Sequence, residues 1–66
     1  MAEIQISLAA ARVNAGLTQE DMAKKMNVSK QTIVNWEKGL SEPSISQSRE
    51  LSMHYGIPLE NIFFNC

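Results

Sequence analysis

Sixty-six residues leave room for one small domain, whose core supplies only a few kcal/mol of net stability, so association with a second copy or a ligand matters to it. No apolar run approaches the roughly 20 residues of a membrane span, and no basic-then-apolar leader precedes the first helical pattern, so a soluble, cytoplasmic chain is expected. A formal charge of −1 and a pI near 5.7 exclude a non-specific nucleic-acid coat, whose affinity would rest on phosphate neutralisation, and leave room for a protein whose few cations are gathered on one face.

Residues 1 to 5 read as a loosely held start. Ser7 caps a first helix that runs to about Ala15 with Gly16 just past its end, and Leu8 and Ala11 share its inner face. Thr18 caps a second helix, and Leu17 before it packs on Met22 as a hydrophobic staple. Met22, Ala23 and Met26, spaced i, i+1, i+4, form one apolar stripe of that helix. Asn27 stands where the helix must stop, being one of the few residues besides glycine that tolerates a left-handed backbone. Ser29 caps a third helix from about Lys30 to Lys38, which ends at Gly39 and carries Ile33 and Trp36 on its inner side; Val28 and Ile33 repeat the staple. Residues 39 to 43 form a loop, through which Pro43 prevents a helix from continuing. Ser44 and Gln47 make a capping box for a fourth helix, which is predicted to bury Ile45, Leu51 and Tyr55 and to stop at Gly56. Pro58, at a first helical position, opens a short fifth helix containing Leu59, Ile62 and Phe63. The sequence shows no alternating strand pattern, internal repeat or linker, so the expected architecture is all-α, with five helices in a single domain over residues 1–66. The lone Cys66 cannot form an internal disulfide and reads as a bland, exposed thiol in a reducing compartment.

The second and third helices carry their apolar stripes where two short helices crossing at a steep angle need them. Ala23 is small where the partner helix approaches, and Val28 plugs the corner. This is the pattern of a helix-turn-helix over residues 18–38. Five runs extend the match: Leu8-x-x-Ala11-Arg12, Gly16-Leu17-Thr18-Gln19-Glu20-Asp21-Met22-Ala23, Val28-Ser29-Lys30-Gln31-Thr32-Ile33, Trp36-Glu37-Lys38-Gly39 and Glu42-Pro43-Ser44. On these residues the chain, over positions 8 to 63, resembles the five-helix domain of lambda-type repressors, Cro proteins and the wider xenobiotic-response-element family of regulators.

The resemblance implies double-stranded DNA as the partner, with the third helix entering the major groove. Its outward residues would be Lys30, Gln31, Val34 and Asn35, with Thr32 and the capping Ser29 beside them. Gln and Asn pair bidentately with adenine, Lys donates to guanine acceptors, and Val34 or the Thr32 methyl can touch a thymine methyl. In similar proteins the position of Gln31 is the strongest base contact. A Gln at the position of Gln19 bonds a phosphate there and can brace the recognition-helix Gln. Lys38, with the free N–H groups of Gly39 and Leu40, is expected to hold a second phosphate, while Lys24 and Lys25 read as solvated. Arg12 and Glu37 match a buried ion pair that ties the first helix to the end of the recognition helix.

Lys24, Lys25, Lys30 and Lys38 fall in the two-helix unit and its exit, whereas Glu3, Glu42, Glu50 and Glu60 lie outside it. Ala9 and Leu40-Ser41-Glu42 stand where similar proteins often carry cations, so one copy makes few phosphate contacts. Specific binding then leans on a homodimer at a pseudo-palindromic operator, its half-sites about 34 Å apart. The apolar tail of Ile57, Leu59, Ile62, Phe63 and Phe64 must in part be core, since a helix of about five residues cannot turn every one of these side chains inward; the rest is the candidate dimer contact, with Phe64 as open to packing or fraying as to interface use. An enzyme is not expected: His54 has no nucleophile and orienting group in sequence reach, and no metal spacing or phosphate loop occurs. No cofactor is expected either. The expected function is a transcriptional repressor acting by occlusion. The alternatives are a helix-turn-helix module that binds a protein regulator or serves as an antitoxin, and the N-terminal DNA-binding part of a longer repressor.

Overall fold

Serine and threonine caps set the frame of the computed structural model, which describes residues 6–63, Phe63 through its backbone. Ser7 Oγ accepts the Ala10 N–H at 3.1 Å and starts α1, Leu8–Asn14. Thr18 and Asp21 form a reciprocal capping box at the head of α2, Gln19–Met26: Asp21 N–H donates to Thr18 Oγ1 at 3.0 Å and Thr18 N–H to Asp21 Oδ2 at 2.9 Å. That Thr18 N–H holds the exposed Asp21 carboxyl below its usual range. Ser29 Oγ accepts the Thr32 N–H at 3.1 Å to open α3, Lys30–Lys38. The expected Ser44 and Gln47 box opens α4, Ile45–Tyr55, with bonds of 3.1 and 2.8 Å. Asn27 adopts φ +57°, which lets Val28 N–H reach back to Ala23 O at 2.9 Å and turns the chain sharply between α2 and α3.

The chain after α4 departs from the predicted fifth helix. Leu59–Asn61 is a 3-10 turn, and Ile62–Phe63 is a short strand, β2, that pairs in parallel with β1, Ile6–Ser7, so that Ile6 lies opposite Ile62. The reason is a competition for Ile62. As a strand residue it is 5% exposed within the core, beside the partly buried Ile6, and the pairing satisfies backbone groups that a one-turn helix would leave open. The described residues are therefore mostly helical with a two-stranded parallel clasp. Residues 1 to 5, the side chain of Phe63, the interface use of Phe64 and the character of Cys66 lie outside them.

The core joins Leu8 and Ala11 of α1, Met22, Ala23 and Met26 of α2, Ile33 and Trp36 of α3, Leu51 and Tyr55 of α4, and Ile62. Leu17 and Val28 pack on its edge, where the two staples were expected. Ile45 does not join it and is 75% exposed, contrary to its predicted burial. The inner stripe of α4 runs instead through Ser48, Leu51, Ser52 and Tyr55, the i, i+3, i+4, i+7 positions; Ile45 lies ~120° from Leu51 on the helix. Ser52 is useful there because its hydroxyl donates to Ile57 O at 2.6 Å and turns the chain towards β2.

Tyr55 is buried, and among the described residues its hydroxyl has no hydrogen-bond partner. Desolvation, then the nearby Glu37 charge, pushes its phenol up to about 12, with Arg12 opposing. A raised folded-state pKa means that stability is full below the unfolded value near 10 and falls as pH rises towards 12. Tyr55→Phe removes the unsatisfied hydroxyl, so its expected effect at neutral pH is neutral to stabilising by about 1 kcal/mol. The variant should also lose less stability than the parent between these pH values. Urea unfolding at neutral and alkaline pH measures both effects, and a clear loss at neutral pH would contradict the first.

Candidate nucleic-acid interface

Ile33 and Trp36 bury one side of α3, at 1% and 4% exposed, and so dictate what the other side presents. At about 100° per residue, Gln31, Asn35 and Lys38 stand roughly half a turn from Ile33. Gln31 and Lys38 are exposed and Asn35 is half-buried beside them. Lys30 projects at the head of the helix, also exposed, while Thr32 and Val34 are half-buried on its two flanks. Ser29, exposed, directs its hydroxyl to the Thr32 backbone and lies 2.9 Å from Thr32 Oγ1. Seven of the eight residues singled out from sequence thus lie on or at the head of one helix. The eighth, Gln19, begins α2.

Several of these side chains already have partners. Gln31 Nε2 donates to Asn35 Oδ1 at 2.9 Å, one helical turn on. Lys30 Nζ approaches Glu20 Oε1 of α2 at 3.9 Å, a loose exposed ion pair of little energetic weight. The sequence signal for the first pairing is the i, i+4 spacing of a Gln and an Asn, which places them for a helix-surface hydrogen bond.

Behind the helix, Glu37 gathers three elements. Arg12 Nε donates to Glu37 Oε2 at 2.7 Å and Nη2 to Oε1 at 3.5 Å, while Nη1 donates to Leu17 O at 2.9 Å. The two charged side chains are 15% and 7% exposed, so the ion pair inferred for Arg12 and Glu37 is largely buried. Gln19 Nε2 completes the group by donating to Glu37 Oε1 at 3.0 Å. Gln19 therefore braces Glu37 and not Gln31, whereas the resemblance implied a brace on the recognition-helix Gln. An ionised carboxylate is the stronger acceptor, and Gln31 is engaged by Asn35.

The N–H groups of Gly39 and Leu40, expected to be free for a phosphate, close α3 instead: Gly39 donates to Trp36 O at 3.3 Å and Leu40 to Asn35 O at 2.9 Å. Gly39 adopts φ +78°, the left-handed geometry that makes this double closure possible. Lys38 stands there as an exposed cation without those donors. Lys24 and Lys25 are exposed, as expected of a solvated pair. Among the described residues no cluster of His, Cys, Asp and Glu is arranged to hold a metal, and no helix is long and apolar enough to cross a membrane.

A family model described as helix-turn-helix matches residues 8–62. An uncharacterised helix-turn-helix-type transcriptional regulator of Methanocaldococcus jannaschii is 47% identical over 47 residues, 71% of this chain and 71% of its own. Another, of Archaeoglobus fulgidus, is 36% identical over 52 residues, 79% of this chain and 74% of its own. The cryptic phage CTXphi transcriptional repressor RstR of Vibrio cholerae is 33% identical over 51 residues, 77% of this chain and 46% of that repressor. No solved structure matches the chain at comparable significance.

Proposed function

The chain belongs to the helix-turn-helix family of DNA-binding transcriptional regulators, and from that premise we propose that it is a sequence-specific repressor acting as a homodimer on a pseudo-palindromic operator. One observation carries the choice of face: α3 is anchored by Ile33 and Trp36 and turns Gln31, Asn35 and Lys38 the opposite way, with Lys30 at its head. Amide and ammonium groups so displayed match the donors and acceptors of base edges in the major groove. Gln31 and Asn35 read bases. Lys30 donates to base or phosphate acceptors, Thr32 and Val34 offer apolar contact, and Ser29 and Lys38 face the backbone. Gln19 has a second N–H beyond the one it gives Glu37, and that N–H is available to a phosphate.

The dimer follows from energetics. One short helix with few phosphate-facing cations gives a weak contact, and two copies on half-sites about 34 Å apart multiply it. Repression is then occlusion of the promoter by the bound pair. Selection from random duplexes tests this proposal: a paired half-site motif at one-turn spacing is the expected result, and recovery of no enriched sequence would refute it.

Two substitutions separate reading from holding. Gln31→Ala is expected to cost about 1–3 kcal/mol of binding and to relax preference at one base pair. Lys38→Ala is expected to weaken all sequences alike and to reduce the salt slope by about one. Titrations across a set of singly substituted duplexes at several salt concentrations distinguish them. Equal losses on every sequence from both variants would remove the base-reading role of Gln31.

A further inference from the structure

We infer that Gln31 and Asn35 read DNA as one coupled unit, in which Asn35 fixes the Gln31 amide so that it selects adenine over guanine. The inference rests on α3 being the reading helix and adds to it a stated base and a residue that sets the choice. A free glutamine amide is ambiguous in the major groove. It can turn its oxygen and one N–H to adenine, which offers an acceptor at N7 and a donor at N6, or turn both N–H groups towards guanine, which offers two acceptors.

The 2.9 Å bond from Gln31 Nε2 to Asn35 Oδ1 removes that ambiguity. With one N–H held by Asn35, Gln31 retains one donor and its carbonyl oxygen, the complement of adenine and not of guanine. Asn35 in turn has its carbonyl engaged and both Nδ2 hydrogens uncommitted by that bond, so it presents donors to the neighbouring base step, fitting guanine N7 and O6 or thymine O4. Gln31 is exposed and Asn35 half-buried, so the outer amide is steadied by the inner one. Asn35 is thereby both a reader of its own step and a positioning residue for its neighbour.

The test compares the full chain with Gln31→Ala, Asn35→Ala and Asn35→Asp by selection from random duplexes, followed by titration on singly substituted sites. Gln31→Ala identifies the base pair that Gln31 reads. At that pair the parent should prefer adenine, and Asn35→Ala should reduce the adenine-over-guanine ratio by roughly fivefold or more, in addition to changing its own step. Asn35→Asp keeps a side-chain oxygen to accept the Gln31 N–H. It should lower affinity for all duplexes through its charge yet leave the adenine preference at the Gln31 step near that of the parent. A purely structural role for Asn35 would not divide the two variants in this way.

If the Asn35 variants alter only their own step, or if Asn35→Asp loses the adenine preference as fully as Asn35→Ala, the coupling is wrong while DNA reading by α3 stands. If the parent enriches no sequence at all, the reading helix itself is wrong and the coupling falls with it. Thermal unfolding of each variant, followed by circular dichroism, verifies that the compared proteins are folded.

Discussion

Replacing Arg12 with alanine is expected to lower the unfolding free energy by about 3 kcal/mol, measured as a drop in the urea midpoint at unchanged slope. The guanidinium touches both oxygens of Glu37 and the carbonyl of Leu17, and the two charged side chains are 15% and 7% exposed. Taking the cation from a carboxylate so nearly buried leaves most of its desolvation cost uncompensated, which is why removing one partner of such a pair costs about 3–5 kcal/mol. The lower end applies because Gln19 continues to donate to Glu37 Oε1. Against the roughly 3–10 kcal/mol that a domain of this length commands, the loss is large. Arg12→Lys keeps the charge but loses the planar fork, so it should fall between parent and alanine. A double change of Arg12 and Glu37 to methionine should recover most of the loss, since an apolar pair of similar volume carries no desolvation penalty. An unchanged midpoint in Arg12→Ala would show that the pair contributes nothing to holding α1 against α3.

The features legible in the sequence are those decided locally. Ser7, Thr18, Ser29 and Ser44 each cap a helix through an N–H three residues on, so the residue type and its spacing carry the whole signal. Asn27, Gly39 and Gly56 stop helices for an equally local reason, the left-handed backbone. The features misread were decided at a distance. Ile62 is a strand residue because Ile6, far away in the chain, lies opposite it, and two-residue strands have no period to detect. The inner stripe of α4 contains Ser48 and Ser52, whose polarity hid it and made the exposed Ile45 the more tempting core residue.

The same division runs through the candidate site. Which residues face outward on α3 follows from the helical period once Ile33 and Trp36 are taken as inner, so Gln31 and Asn35 were visible as a face. What those side chains bond to before any ligand arrives was not. The contact of Gln19 with Glu37 crosses from α2 to α3, and its distance depends on how the two helices pack. Closure of α3 by Gly39 and Leu40 was within local reach, because a glycine at a helix end implies that the next N–H groups turn back to the helix.

Trp36→Ala is expected to have the largest effect on stability, about 3–5 kcal/mol, and to affect DNA binding only through folding. Trp36 is 4% exposed on the inner side of α3 and belongs to the cluster that joins all four helices, so truncation leaves a cavity at the centre rather than at a margin. With roughly 3–10 kcal/mol available, part of the population unfolds under ordinary conditions, and apparent affinity falls by the folded fraction. Duplex at a hundred times its dissociation constant should restore about 2.7 kcal/mol of apparent stability, because ligand that binds only the folded chain pulls the equilibrium towards it. Gln31→Ala should behave in the opposite way, with its urea midpoint near that of the parent and its affinity reduced on the preferred duplex, since Gln31 is exposed and, among the described residues, bonds its neighbour one turn away. Measuring stability with and without duplex for both variants separates the anchored side of α3 from its reading side. Equal stability of Trp36→Ala and parent in the absence of DNA would mean that the indole does not hold the helix in place.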